Sequence, residues 1–253
     1  MDERIFGGQT SNDIIPWQVW LKSGETEGAV PECGGTIICP RFILTAWSEC
    51  INTLAFMFGQ GPTVIVQDHD WTDEISSSNE YEVKRAIWHP NYTTYEADEN
   101  GTVLEWRDFN FALLELYKPI PLDARSRARA ACLPRPTDNF AFNEETKFVV
   151  SGWGHIDGIN WHGYGTVQDK LKVATVEYCT SDPGPAYCKG CPQNDQAGKE
   201  WKICTRADKG VGPCLRDNGG KILQNHLKLC FFRHMWLQNY CFRSSDLDRA
   251  THI

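Results

Sequence analysis

The amino-acid sequence predicts an all-β fold, and two observations carry that expectation. Short runs rich in β-branched and aromatic residues, such as Thr63–Gln67, Phe111–Leu116 and Lys147–Ser151, alternate with clusters of Gly, Pro, Asn and Asp. No long stretch repeats apolar residues at the 3.6-residue period of an amphipathic helix. A barrel or a sandwich fits that pattern. The 253 residues suit one double barrel or two smaller domains, enough chain to bury a sizeable core. With 41% apolar residues the chain falls outside the disordered and fibrous classes.

Charge and length exclude several partners. The formal charge of −8 argues against nucleic acid, because phosphate binding needs a basic face. No apolar run approaches the ~20 residues of a membrane-spanning helix. Eleven cysteines point to an oxidising compartment. Two Asn-x-Thr acceptor sequences, at Asn91 and Asn100, fit a secreted, extracellular protein. Met1-Asp2-Glu3-Arg4 is not a secretory leader. A removed leader or a longer precursor is therefore expected, and the odd cysteine count suggests an absent partner. Between Pro119 and Pro136 runs a Pro- and Arg-rich stretch. It reads as a solvated linker at 121–134 between a first unit, 5–120, and a second, 135–253. Its Arg125, Arg127 and Arg129 are the weaker candidates for a processing site.

Seven further landmarks occur in a fixed order. They are Arg4-Ile5-Phe6-Gly7-Gly8, Pro16-Trp17-Gln18-Val19, Cys33-Gly34-Gly35-Thr36 with Leu44-Thr45-Ala46, His89-Pro90-Asn91-Tyr92, Phe111-Ala112-Leu113-Leu114, Ser151-Gly152-Trp153-Gly154, and Cys214-Leu215-Arg216-Asp217-Asn218-Gly219-Gly220. In order and spacing the chain resembles the trypsin/chymotrypsin family of serine proteases, from Arg4 to about Cys241. The resemblance implies two antiparallel six-stranded β-barrels packed face to face with a cleft between them.

It also implies that the catalytic residues are gone. The family mechanism needs a serine nucleophile, a histidine base, an aspartate that orients the histidine, and backbone N–H groups facing the oxyanion. Asn218 stands at the nucleophile position, and an amide is a poor nucleophile. Glu49 precedes the cysteine where the family has histidine, in a segment one residue longer. Asn110 stands for the aspartate. Arg216 replaces the small glycine of the oxyanion loop, where it would fill the hole or strain the backbone. Gly212 occupies the primary-specificity position, so the pocket should not select a basic side chain through an aspartate there.

Other family features are implied in part. Asp217 would pair with a new amino terminus at Ile5 if the chain is cut after Arg4. Three disulfides are implied: Cys33–Cys50, Cys179–Cys204 and Cys214–Cys241. Cys132 matches a cysteine that tethers an N-terminal segment in many members; Cys39, Cys188, Cys191 and Cys230 are extra. The single Cys188-Lys189-Gly190-Cys191 motif reads as a loop disulfide before a metal or redox site. The acidic run Asp68, Asp70, Asp73 and Glu74 falls near the family's calcium loop. Its spacing differs, so a solvated loop is preferred and no cofactor is expected. After Cys241 the family's last strand and helix are missing, which would leave a sheet edge open.

The expected function is that of a secreted, non-catalytic protease homologue: a cofactor, decoy or inhibitor that binds a protein of a proteolytic or host-defence cascade. The aromatic loop residues Trp161, His162 and Tyr164 are the candidate binding anchors. The alternatives are a residual serine-type endopeptidase and a decaying paralogue with no selected role.

Overall fold

In the computed structural model, the described residues are 8–22, 30–52, 61–95, 106–133, 142–143, 145–155, 167–178, 203, 205–206, 212–213, 216–220, 222–224 and 230–231. Their regular elements are all strands, apart from a short π-helix at Trp47–Asn52 and one 3₁₀ turn at Ser77–Asn79; turns and extended loops join them.

Six strands close the first barrel. They are β2 (Gln18–Lys22), β3 (Cys33–Cys39), β4 (Phe42–Thr45), β5 (Thr63–Val66), β6 (Glu80–Trp88) and β9 (Ala112–Leu116), in spatial order β2-β3-β4-β9-β6-β5. The two-residue side-chain period explains β9: Ala112, Leu114 and Leu116 are buried while Leu113 and Glu115 are partly exposed. In β2 and β5 the alternation disappears because both faces are covered. Val19, Leu21, Val64 and Val66 fill the barrel, while Trp20 and Ile65 pack outward against Trp153 and Leu171 of the second unit. The Cys33–Cys50 disulfide is formed, with its Cα atoms 5.8 Å apart and a sequence separation of 17. A loop of that length restricts the unfolded chain by about 3 kcal/mol.

The second unit is a six-stranded antiparallel sheet. Strands β1 (Gln9–Thr10), β11 (Lys172–Tyr178), β10 (Lys147–Gly152), β13 (Ile222–Gln224) and β14 (Cys230–Phe231) follow one another across it, and β12 (Thr205–Arg206) pairs with β11. Its core is Phe148, Val150, Ala174, Val176, Ile203 and Ile222. Gln9 and Thr10, inside the first unit as divided at 120, are hydrogen-bonded into this sheet opposite Val173 and Lys172. A small ribbon, β7 (Thr93–Tyr95) with β8 (Trp106–Asp108), stands apart.

The two units share a polar seam beside the Trp20 cluster. Leu171 N–H donates to the His69 carbonyl at 2.7 Å, and Trp71 N–H to that of Asp169 at 3.1 Å. The buried Ser151 hydroxyl donates to Gln18 Oε1 at 2.9 Å. Trp20 Nε1 donates to Asp68 Oδ2 at 2.6 Å. Burial pushes the Asp68 carboxyl above its ordinary pKa, against the opposing pull of the Trp20 indole. The linker is part of the packing: Ala128 is buried, and Ala131 N–H donates to the Ile37 carbonyl at 2.8 Å.

Candidate functional site

Glu49 and Asn110 meet. Asn110 Nδ2 donates to Glu49 Oε2 at 2.7 Å, and Asn110 Oδ1 accepts from Ser48 N–H at 2.8 Å. Both side chains are half-buried. Local backbone aims them at each other. Glu49 lies within the π-helix, whose wider turn absorbs an extra residue in a short helical segment. Asn110 follows Phe109, which has φ +53°; Phe111 N–H closes the tight turn onto the Phe109 carbonyl at 2.8 Å. Such strained positions persist where the surroundings hold them, and here His89 stacks on Phe109 with ring centroids 4.6 Å apart. The polarity of the pair is fixed: the amide can only donate to the carboxylate, and it carries no proton that it can release to a base.

The loop at 216–220 docks beside this pair. The Asn218 carbonyl accepts from Gly34 N–H at 2.8 Å. Gly219 has φ +76°, and a Cβ there would fall 2.2 Å from Thr45 Oγ1 and 2.4 Å from the Gly34 carbonyl oxygen. Only glycine allows that approach, which seats the loop on Thr45 and Ala46, just ahead of the turn that carries Glu49. Arg216 has φ +72°, a left-handed conformation that costs a side-chain-bearing residue about 1–2 kcal/mol. Its guanidinium reaches the first barrel, 3.3 Å from the Pro31 carbonyl oxygen and 3.3 Å from Glu32 Oε1.

Asp217 turns the other way and is buried, at 3% exposure. Its Oδ1 accepts from Gly154 N–H at 2.8 Å. A Cβ on Gly154 would lie 2.4 Å from the Asp217 carboxyl carbon, and one on Gly152 would lie 2.0 Å from its Oδ1. The two glycines of the Ser-Gly-Trp-Gly motif therefore make the space that the carboxylate occupies. Gly212 has φ +151° and open space where a side chain would stand.

Several expected site residues lie outside the described residues: Arg4, Ile5, Asn100, Trp161, His162, Tyr164, Cys179, Cys188, Cys191, Cys204, Cys214 and Cys241. Of Cys230 only the backbone, in β14, is described. Cys39, half-buried, and Cys132, exposed, are free thiols. In the acidic run, Asp70 Oδ1 accepts from the Thr72 hydroxyl at 2.6 Å while Asp68 is held by Trp20. Among the described residues no three His, Cys, Asp or Glu side chains are grouped to hold a metal ion. No described helix is long and apolar enough to cross a membrane.

The motif reading did not single out an aromatic cluster beside Glu49. Trp47, on the same π-helix, packs on Trp88 with centroids 4.8 Å apart and meets Tyr92 edge-on at 6.5 Å. The signal was the bulky Trp47 itself, set next to the extra residue.

The Trypsin family model matches residues 5–230. The chain is similar to a trypsin of Simulium vittatum, 30% identical over 224 residues that cover 87% of this chain and 77% of that protein. It is similar to venom serine protease 34 of Apis mellifera, 29% identical over 87% of this chain and 48% of the relative. It is also similar to the phenoloxidase-activating enzyme of Bombyx mori, 25% identical over 90% and 52%. The chain thus spans about half the length of the latter two relatives. The all-β architecture, the closed barrel and a family match over most of the length agree, and the chain belongs to the trypsin family.

Proposed function

We propose that this chain is a non-catalytic member of the trypsin family that works by binding a protein. One observation carries the reading: at the positions that the family motifs give to base and orienting carboxylate, a neutral amide donates to a carboxylate. In the family's mechanism a carboxylate orients an imidazole that takes a proton from a serine hydroxyl. The pair here has neither imidazole nor hydroxyl, and Asn218 at the nucleophile position supplies none. Arg216, strained and drawn to Glu32, further alters the loop whose N–H groups would meet an oxyanion. Loss of a triad member typically costs roughly 10⁴–10⁶ in turnover.

Secretion is part of this reading, supported by the cysteine content and the formed Cys33–Cys50 bridge. The partner is a protein, and the names of two relatives, a phenoloxidase-activating enzyme and complement C1s of Bos taurus, point to a proteolytic cascade. There the chain would serve as cofactor, decoy or inhibitor, with Trp161, His162 and Tyr164 as anchors. The trypsin of Simulium vittatum among the relatives favours a second reading, a residual serine-type endopeptidase. Purified protein, cut after Arg4, separates the two. It should leave broad peptide libraries intact, and measurable turnover would contradict the non-catalytic reading. For the binding role, alanine at Trp161 and Tyr164 should weaken a captured partner by more than ~1 kcal/mol with the fold kept. Unchanged affinity would move the binding surface elsewhere.

A further inference from the structure

We propose that Asn91 carries an N-linked glycan whose first N-acetylglucosamine packs on the exposed indole of Trp88. The proposal rests on the export part of the reading above and is independent of the fate of catalysis.

Trp88 ends β6 and is 54% exposed, a large apolar surface to leave in water. Trp47 covers one side of it at 4.8 Å. Three residues on, Asn91-Tyr92-Thr93 is an acceptor sequence with no proline in its middle. The segment between is a closed turn: Tyr92 N–H donates to the His89 carbonyl at 3.0 Å, and Asn91 N–H donates to His89 Nδ1 at 3.2 Å. The Thr93 hydroxyl donates to the Asn91 carbonyl at 3.1 Å. These bonds use backbone and neighbouring side chains and leave the Asn91 amide exposed.

The reach is short. Three residues span at most ~10 Å even when extended, and the closed turn shortens that. An asparagine side chain plus one pyranose ring covers a comparable distance. The chemistry also fits. The electron-rich face of an indole attracts positively polarised edges, and the C–H bonds on one face of a pyranose are such edges. A sugar there would cover the open part of Trp88, on the side away from Trp47.

The attachment balances simply. Asn91 Nδ2 forms a bond to the anomeric carbon of an oligosaccharide carried on a lipid diphosphate. The carbon–oxygen bond to the diphosphate breaks, the lipid diphosphate leaves, and the amide loses one proton.

The test uses the chain secreted from a eukaryotic cell, with Asn100→Gln to leave one acceptor. Mass spectrometry should find Asn91 occupied. An endoglycosidase that leaves one N-acetylglucosamine gives one sample; an amidase that removes the whole glycan, hydrolysing the side-chain amide to a carboxylate, gives the other, and the same pair made from Trp88→Leu subtracts the effect of that carboxylate. The first should melt about 2–4 °C above the second, the shift expected for about 1 kcal/mol in a protein of this size. Trp88→Leu should remove most of that difference. In the protein with native Trp88, protons of the retained sugar should be shifted upfield by the indole ring. An empty Asn91 in the secreted protein overturns the proposal. So do an equal melting difference in Trp88→Leu and sugar protons at ordinary shifts; the last needs no variant. Peptide cleavage by the same preparation would sink the non-catalytic reading and leave this one standing.

Discussion

The loop at 216–220 touches both the Gly152–Gly154 side of the seam between the two units and the strand end that leads to Glu49, yet the side chains of the two regions obey different constraints. At the seam, large side chains and buried polar groups are fitted to particular neighbours. Trp20 is enclosed by Ile65, Trp153 and Leu171, and Asp217 sits in space vacated by Gly152 and Gly154. On the other side the geometry is equally ordered, but the groups are an amide, a carboxylate and a strained arginine. The loop at 216–220 contains both kinds of position. Asp217 and Gly219 are demanded by packing, whereas Arg216 and Asn218 are not. Close contacts such as those of Asp217 and Gly219 hold the scaffold whatever chemistry the adjoining residues carry.

That contrast can be broken most severely at the seam. Trp20→Ala should cost about 3–5 kcal/mol, because it empties a fully buried site between the units. Denaturant midpoints would measure it, and a loss under 1 kcal/mol would show that the seam is not a packed core. Gly154→Ala comes next, at about 1–3 kcal/mol, since the new methyl overlaps the buried Asp217 carboxyl. Both losses should exceed that of Asn218→Ala, which leaves the carbonyl bond to Gly34 in place and should stay within ~0.5 kcal/mol.

Smaller effects are expected at Arg216 and Asp68. Arg216→Gly should be more stable than Arg216→Ala by up to about 1 kcal/mol, the left-handed cost less the extra backbone entropy that glycine loses on folding. Both lose the contact with Glu32, but only glycine relieves φ +72°. Equal stabilities would mean that the loop carries no strain. Asp68→Asn tests the half-buried carboxyl at the seam. A carboxyl raised by burial holds its proton more tightly in the folded chain than in the unfolded one. Folding stability is therefore lost as pH rises from the ordinary carboxyl range through the raised folded value. Asp68→Asn, which keeps an acceptor for Trp20, should remove that pH dependence and stabilise the protein most above the folded value. An unchanged profile would assign the dependence to another group.

Much of the architecture was legible because it rests on local rules. The period-2 pattern of Ala112–Leu116 and the β-branched run Thr63–Val66 are visible in any window of the chain. The Cys33–Cys50 bridge was implied by the motifs around both cysteines and is present. Other features depend on residues far apart in sequence. Nothing near Gln9 and Thr10 signals that they pair with Lys172 and Val173. The Trp20–Asp68 bond joins positions 48 residues apart, and it gives an aspartate read as part of a solvated loop a buried partner. At the candidate site, the motifs located Glu49, Asn110 and Asn218. The bond between Glu49 and Asn110 became visible only with the left-handed turn at Phe109 and the π-helix at Trp47. A one-residue lengthening announces that the turn must change, but not which side chain it will aim.

A non-catalytic site holds no activated serine, and a fluorophosphonate probe reports on that chemistry. Such a probe bonds covalently to a serine hydroxyl activated by a neighbouring base. The protein, cut after Arg4 so that activation is not at issue, should remain unlabelled after prolonged incubation, as judged by intact mass. An active trypsin-family protease in the same tube should label to one probe per chain. Stoichiometric labelling of any serine in this chain would contradict the account.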